Sequence, residues 1–246
     1  MTKAQIKFIQ SLSRQKYRKE YNAYLVEGDK NAKEWLQSDC VLQYIVCNSI
    51  WAQENRGLLA AHPEAECLVV EDFELEKITS LQTAQQVVLV VNMPEKAAYE
   101  QTEGEWSLFL EKIQDPGNMG TIIRTADWFG IRRIVCTPDC VERFNPKVVQ
   151  ASMGSLLRVR VYEMETTEFV SNNKQPLYAA CLGGHDLRKL HSPTAGVIAM
   201  GNESQGLSPS LIAAATHQVT IPGSGTAESL NVSVAAGIIC AQLTQA

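Results

Sequence analysis

The chain has 246 residues, 45% of them hydrophobic, enough to bury the core of one large or two modest domains. Lys and Arg total 22 against 27 Asp and Glu, and the net charge of -5 excludes a polycation that grips nucleic acid by overall charge. No run of about 18 apolar residues or secretory-signal pattern is present, and the seven cysteines and four histidines lack Cys-x-x-Cys or zinc spacing, so a soluble cytoplasmic protein without membrane, disulfide or metal chemistry is expected.

Residues 1–19 carry Lys3, Lys7, Arg14, Lys16, Arg18 and Lys19 and no acid, the one concentrated basic segment. From Ala23 onward, β-rich runs (AYLVEG, LQYIVC, CLVVEDF, QQVVLVVNM) alternate with helical patterns (DKNAKEWLQS, SIWAQENRGLLAA). Residues 93–105 are polar and acidic, with Pro94 and Gly104 among them, and are expected to link a domain over 1–92 to one over 106–246.

The second domain restarts the alternation: strand WSLFLEKI, helix NMGTIIRTADWF closed by Gly130, strand IRRIVC, helix NPKVVQASM, strand RVRVYEM, a polar helix, then strands LYAACL and GVIAMG. A helix from Leu211, strand QVTIP, a Gly-rich loop and the apolar helix LNVSVAAGIICAQL follow. This order predicts an α/β fold with a mainly parallel sheet, whose ligands sit at loops beyond the carboxyl ends of strands. Neither G-x-G-x-x-G nor the P-loop occurs, which removes the usual nucleotide fingerprints.

Three strand-to-helix loops stand out. Asp115–Gly120 contains a Pro-Gly turn, with Asn118 placed to cap the following helix; helical spacing turns Met119, Ile122, Ile123, Ala126 and Phe129 inward and leaves Thr121, Arg124 and Thr125 on an open face. Gly201–Ser208 has two glycines that allow close backbone approach, and sets Glu203 at a strand's carboxyl end. Ile221–Asn231 puts Ser229 and Asn231 at cap positions. Taken singly, each loop is a weak signal, and an ordinary cap or turn accounts for it.

Together, DPGNMGTIIRTADWFG, MGNESQGLS and IPGSGTAESLNVSVAAGI resemble the three motifs of the SpoU family, RNA ribose 2′-O-methyltransferases of the SPOUT class. KYRKEYNAYLVEGDKNAKEWL is similar to the substrate-binding domain, related to a ribosomal-protein fold (L30e-like), that precedes the catalytic domain in many members. The resemblance implies a C-terminal trefoil-knot α/β domain behind a smaller N-terminal α/β domain, and a homodimer formed through the C-terminal domain. It also implies S-adenosylmethionine held by Met200, Gly201, Asn202, Ile221, Pro222, Ser229 and Leu230, with Asn118, Arg124, Glu203, Ser229 and Asn231 as catalytic residues. Arg14, Lys16, Arg18 and Lys19 are the candidate RNA contacts.

Within that resemblance Arg124 is either a base or a contact to phosphate and developing oxyanion; a guanidinium, with its usual pKa above about 12, is a poor base, which favours the second role. Ribosomal RNA is the expected substrate, with transfer RNA next. A non-catalytic RNA-binding or ribosome-assembly protein and an unrelated α/β nucleotide binder are the readings from other classes. The last helix is apolar on nearly every side, so it is expected in the core or against a second copy.

Overall fold

The computed structural model describes residues 1–190, 193–202 and 204–244. Its contacts divide the chain into two units, Met1–Lys96 with Glu142–Leu157, and Ala97–Val141 with Arg158–Ala246.

In the first unit the basic segment folds as two helices. A Thr2/Gln5 capping box opens α1 (Lys3–Ser11), and α2 (Gln15–Tyr21) ends at Asn22 in the left-handed region, φ 49°. There follow β1 (Ala23–Glu27), α3 (Asp29–Leu36), β2 (Leu42–Cys47), α4 (Ser49–Glu54), α5 (Arg56–Ala60), β3 (Glu66–Val69), α6 (Asp72–Ile78) and β4 (Val87–Asn92). The sheet order is β1-β4-β2-β3, antiparallel except for the parallel β2–β3 pair. The run VVLVV is central and buried on both faces: Val87, Leu89 and Val91 pack with Trp35 and Trp51, whereas Val88 and Val90 pack with Ile9, Leu12 and Leu75.

Two expectations change here. SIWAQENRGLLAA breaks into α4 and α5 at Asn55, whose Nδ2 donates to the Trp51 carbonyl at 2.9 Å. CLVVEDF leaves the strand at Val69, because Glu71 and Glu74 form a capping box that starts α6.

The second unit contains β5 (Trp106–Leu110), α7 (Pro116–Trp128), β6 (Arg133–Cys136), β7 (Arg160–Glu163), α9 (Thr166–Asn172), β8 (Leu177–Asp186), β9 (Gly196–Met200), α10 (Pro209–Ala214), β10 (His217–Thr220) and α11 (Val232–Leu243); α8 (Pro146–Ser152) lies in the first. Every neighbouring pair in the order β10-β8-β9-β5-β6-β7 is parallel, as the alternation predicts. From β5 the chain steps outward through β6 and β7, then builds β8, β9 and β10 on the other side. The reversal falls between β5 and β9, where open α/β sheets bind ligands.

The division between units differs from the expected boundaries. Residues 97–105, part of the expected linker, lie against the second unit: Tyr99 meets Tyr162 edge-on at 5.3 Å, and the Lys174 amide donates to Gln101 Oε1 at 3.0 Å. Residues 142–157, expected in the C-terminal domain, fold into the first unit. There Phe144 stacks on Tyr24 at 4.4 Å and Gln150 Oε1 accepts from Asn31 Nδ2 at 3.0 Å.

Arg18 also pairs with Glu142 of this segment, which corrects its placement among the RNA contacts. Only 2% exposed, it donates from Nη1 to the Leu12 and Ser13 carbonyls at 2.9 and 3.0 Å, and from Nε to Glu142 at 2.8 Å. Arg14, Lys16 and Lys19 remain exposed.

Candidate active site

Three loops leave the carboxyl edge of the parallel sheet, after β5, β9 and β10, and side-chain bonds tie the first of them to the other two. Asp115 is the N-cap of α7: its Oδ1 accepts the Asn118 amide at 2.8 Å, with Pro116 behind it in the first turn. Asp115 thereby takes the capping role expected of Asn118. The Asn118 side chain instead reaches the third loop, its Oδ1 accepting a hydrogen bond from Asn231 Nδ2 at 2.9 Å across 113 residues of sequence.

Asn231 uses both ends of its amide. While Nδ2 holds Asn118, Oδ1 accepts the Ser233 amide at 2.9 Å and caps α11. Ser229, the other cap candidate, lies exposed in the loop ahead. Helices α7 and α11 pack together, so their N-termini meet at this asparagine pair.

Further along α7, Gly117, Thr121, Arg124 and Trp128 form an exposed stripe at i, i+4, i+7 and i+11. Met119, Ile122, Ile123 and Ala126 are buried as their spacing predicts, while Phe129, expected inward, is half-buried at the C-cap. Arg124 is thus presented from a fixed helix on the open face.

The second loop is tied to the first through the backbone that leads into it. Asn202 Nδ2 donates to the Lys112 carbonyl at 3.1 Å, and its Oδ1 accepts the Ser204 amide at 2.8 Å. The Gly206 amide then donates to the Asn202 carbonyl at 2.8 Å, closing a tight turn. A Cβ on Gly201 would stand 2.3 Å from the Gly206 carbonyl carbon and 2.5 Å from the Leu207 nitrogen. The glycine there answers to the loop's own returning backbone. Glu203 lies outside the described residues.

One organising residue was not raised by the sequence pattern. Glu111, 3% exposed, accepts the Thr166 hydroxyl on Oε1 at 2.7 Å and the Ser208 amide on Oε2 at 2.6 Å. Its own amide extends the β5–β9 pairing by donating to the Met200 carbonyl at 2.9 Å. A buried carboxylate is tolerable because both oxygens are bonded, and this one fixes the far end of the second loop. The available signal was a charge set directly after the apolar run WSLFL.

Among the expected cofactor residues, Met200 is 2% exposed, Ile221 half-buried, Pro222 exposed and Leu230 47% exposed. Among the described residues, no backbone hydrogen bond occupies residues 222–230. This loop therefore has amides and carbonyls to offer a ligand. None of the three loops carries a histidine, and no cluster of described His, Cys, Asp or Glu is placed to hold a metal ion. The arrangement is suited to orienting a reactant and stabilising charge.

Comparison with known proteins bears on both units. The family described as the SpoU rRNA Methylase family matches residues 105–241, and the MRM3-like substrate binding domain matches residues 3–89. The chain is 28% identical over 238 residues to the 23S rRNA (guanosine(2553)-2′-O)-methyltransferase RlmP of Bacillus subtilis, covering 95% of this chain and 93% of that one. A structure from Porphyromonas gingivalis, assigned to the TrmH family of RNA methyltransferases, is 36% identical with TM-score 0.85, covering 98% of this chain and 97% of that one. The AdoMet-bound rRNA methyltransferase from Sinorhizobium meliloti is 28% identical with TM-score 0.88, covering 98% and 94%. No described helix is long and apolar enough to cross a membrane.

Proposed function

The chain belongs to the SpoU rRNA methylase family, and on that premise we propose that it transfers a methyl group from S-adenosylmethionine to a ribose 2′-hydroxyl of ribosomal RNA in the cytoplasm. The observation that carries this reading is the Asn118–Asn231 bond, which joins two loops far apart in sequence at the mouth of the sheet.

The donor set fits the cofactor. The backbone of residues 222–230, which makes no backbone hydrogen bond among the described residues, with the backbone at Gly201, Asn202 and Ile221, would hold S-adenosylmethionine, and Met200 and Leu230 would line the site. When bound, that group supplies a methyl already activated for transfer. Asn118 orients the ribose, and Asn231 holds Asn118. Arg124 meets the target phosphate and stabilises charge developing on the ribose oxygen. Glu203 and Ser229 complete the site in this reading.

Two further features belong to the same proposal. On the same reading, supported by membership of the family, the second and third loops form part of a trefoil knot. The C-terminal domain pairs with a second copy, supported by the exposure of Trp128 at 85%, Val234 at 51% and Ile238 at 40%.

The test is transfer from tritiated S-adenosylmethionine to ribosomal and transfer RNA in parallel, with 2′-O-methylation read as alkali-resistant dinucleotides. Label in ribosomal RNA is expected. Label confined to transfer RNA would replace the substrate, and base-linked label would overturn the reaction. Arg124→Lys should bind RNA more weakly and transfer more slowly at an unchanged pH optimum; a shifted optimum would restore the arginine as a base.

A further inference from the structure

We propose that Tyr17, Tyr21 and Phe8 of the first unit form a base-stacking platform for unpaired nucleotides of the substrate; this rests on the reading of that substrate as RNA. Tyr17 and Tyr21 lie one turn apart on α2, their rings 13° from parallel with centroids 6.2 Å apart. Phe8 of α1 meets Tyr21 edge-on at 5.1 Å and tilts against Tyr44 of β2 at 6.0 Å. The inner end of this row is anchored, since Phe8 and Tyr44 pack against the hydrophobic cluster under α1 and α6. Further out the row opens to solvent: Tyr21 is 42% exposed, and Tyr17, at the outer end, is half-buried.

Charge surrounds the row. Lys16 Nζ stands 5.7 Å from the Tyr17 ring centroid. Lys3, Lys7, Arg14 and Lys19 are exposed on or beside the same two helices; Glu20 is the one acid within residues 1–22, while Glu66 and Glu74 meet the start of α1, bonded to Gln5 and to the Met1 amine. Arg18 adds nothing to this field because Glu142 neutralises it.

Aromatic faces set among cations fit one kind of partner. Every base has a π-face that stacks on tyrosine whatever the sequence, but only where the base is unpaired, because a duplex hides those faces. The cations meet the phosphates between stacked bases. A protein partner fits less well, since protein interfaces are depleted in lysine. The platform therefore selects loops, bulges or single strands over helices.

The test is fluorescence anisotropy of a labelled single-stranded RNA of about 12 nucleotides, alone and annealed to its complement, over a range of salt. The single strand is expected to bind more tightly than the duplex. Tyr21→Leu keeps apolar bulk but removes the π-face, and should weaken single-strand binding at least about 5-fold at every salt concentration with the slope unchanged. Tyr21→Phe keeps the ring and should bind within about 2-fold of the parent. Joint Lys16→Ala and Lys19→Ala should instead flatten the slope by about 1.4.

Parent-like single-strand binding by Tyr21→Leu, or preference for the duplex, overturns the platform. If Tyr21→Leu melts below the parent, Tyr17→Leu takes its place: weakened single-strand binding supports the platform and parent-like binding overturns it. Failure of the parent chain to bind either probe would overturn the RNA substrate itself, an outcome separate from RNA binding that ignores the tyrosines.

Discussion

At Cys140 the Cys136 thiol, the Thr137 hydroxyl at 3.6 Å and the Ile113 amide at 3.2 Å all favour the thiolate, and outweigh burial to hold the pKa down to about 7. Burial acts almost alone at Cys240 and dominates at Cys47, pushing both up to about 12. Because the thiolate is the nucleophile, alkylation of Cys140 by iodoacetamide should rise through a midpoint near pH 7, with Cys47 and Cys240 inert there; peptide mass mapping reads all three. Cys136→Ala removes the largest favourable influence and should move that midpoint upward, and an unmoved midpoint would place the cause elsewhere. Arg18 makes the complementary case for a buried charge. Its removal strands Glu142 and two carbonyls, so Arg18→Ala should cost about 3–5 kcal/mol in urea unfolding, against about 0.5 kcal/mol or less for exposed Arg14→Ala. Nothing local distinguishes these arginines in sequence, because the partner that buries Arg18 is 124 residues away.

At the scale of elements, the two helix N-termini that meet at Asn118 and Asn231 divide their work differently. Asn118 lies inside the first turn of a helix already capped by Asp115, so Asn118→Ala should keep the melting temperature and cofactor affinity while losing transfer. Asn231 is itself the cap of α11, so Asn231→Ala should lose transfer and also about 0.5–2 kcal/mol of stability. Calorimetry with S-adenosylmethionine beside thermal melts separates the pair; loss of cofactor binding in Asn118→Ala would reassign it to the cofactor. These loops were legible in the sequence because caps, glycines and apolar runs are local signals, and they carried the order of elements with them. Glu111 and residues 142–157 were not, since the one acts through Thr166 and Ser208 and the other through Tyr24, Asn31 and Arg18, all distant in sequence. The break at Asn55 escaped for a subtler reason: its side chain bonds a carbonyl one turn back, which no periodicity records.

For the molecule as a whole, hydropathy could say that α11 is apolar around its circumference but not what covers each side. One side is internal: Val232, Ala236, Ile239, Cys240 and Leu243 are buried. The other presents Val234 and Ile238 one turn apart, with Leu230 just ahead and Trp128 at the end of α7, the helix packed beside it. Four large apolar side chains exposed on and beside two adjacent helices are a costly surface for a monomer, since each contributes about 1.5–3 kcal/mol when fully buried. A second copy laid against this face would recover that energy through a self-complementary contact, the geometry of a two-fold dimer. Sedimentation should therefore find the parent chain as a dimer and Ile238→Glu as a monomer, because a carboxylate buried opposite its own symmetry mate has no partner. Since α7 and α11 also carry Arg124 and Asn231, separating the copies should lower methyl transfer as well. An Ile238→Glu chain that remains dimeric would move the contact off this face, and a monomer with full activity would show that each copy works alone.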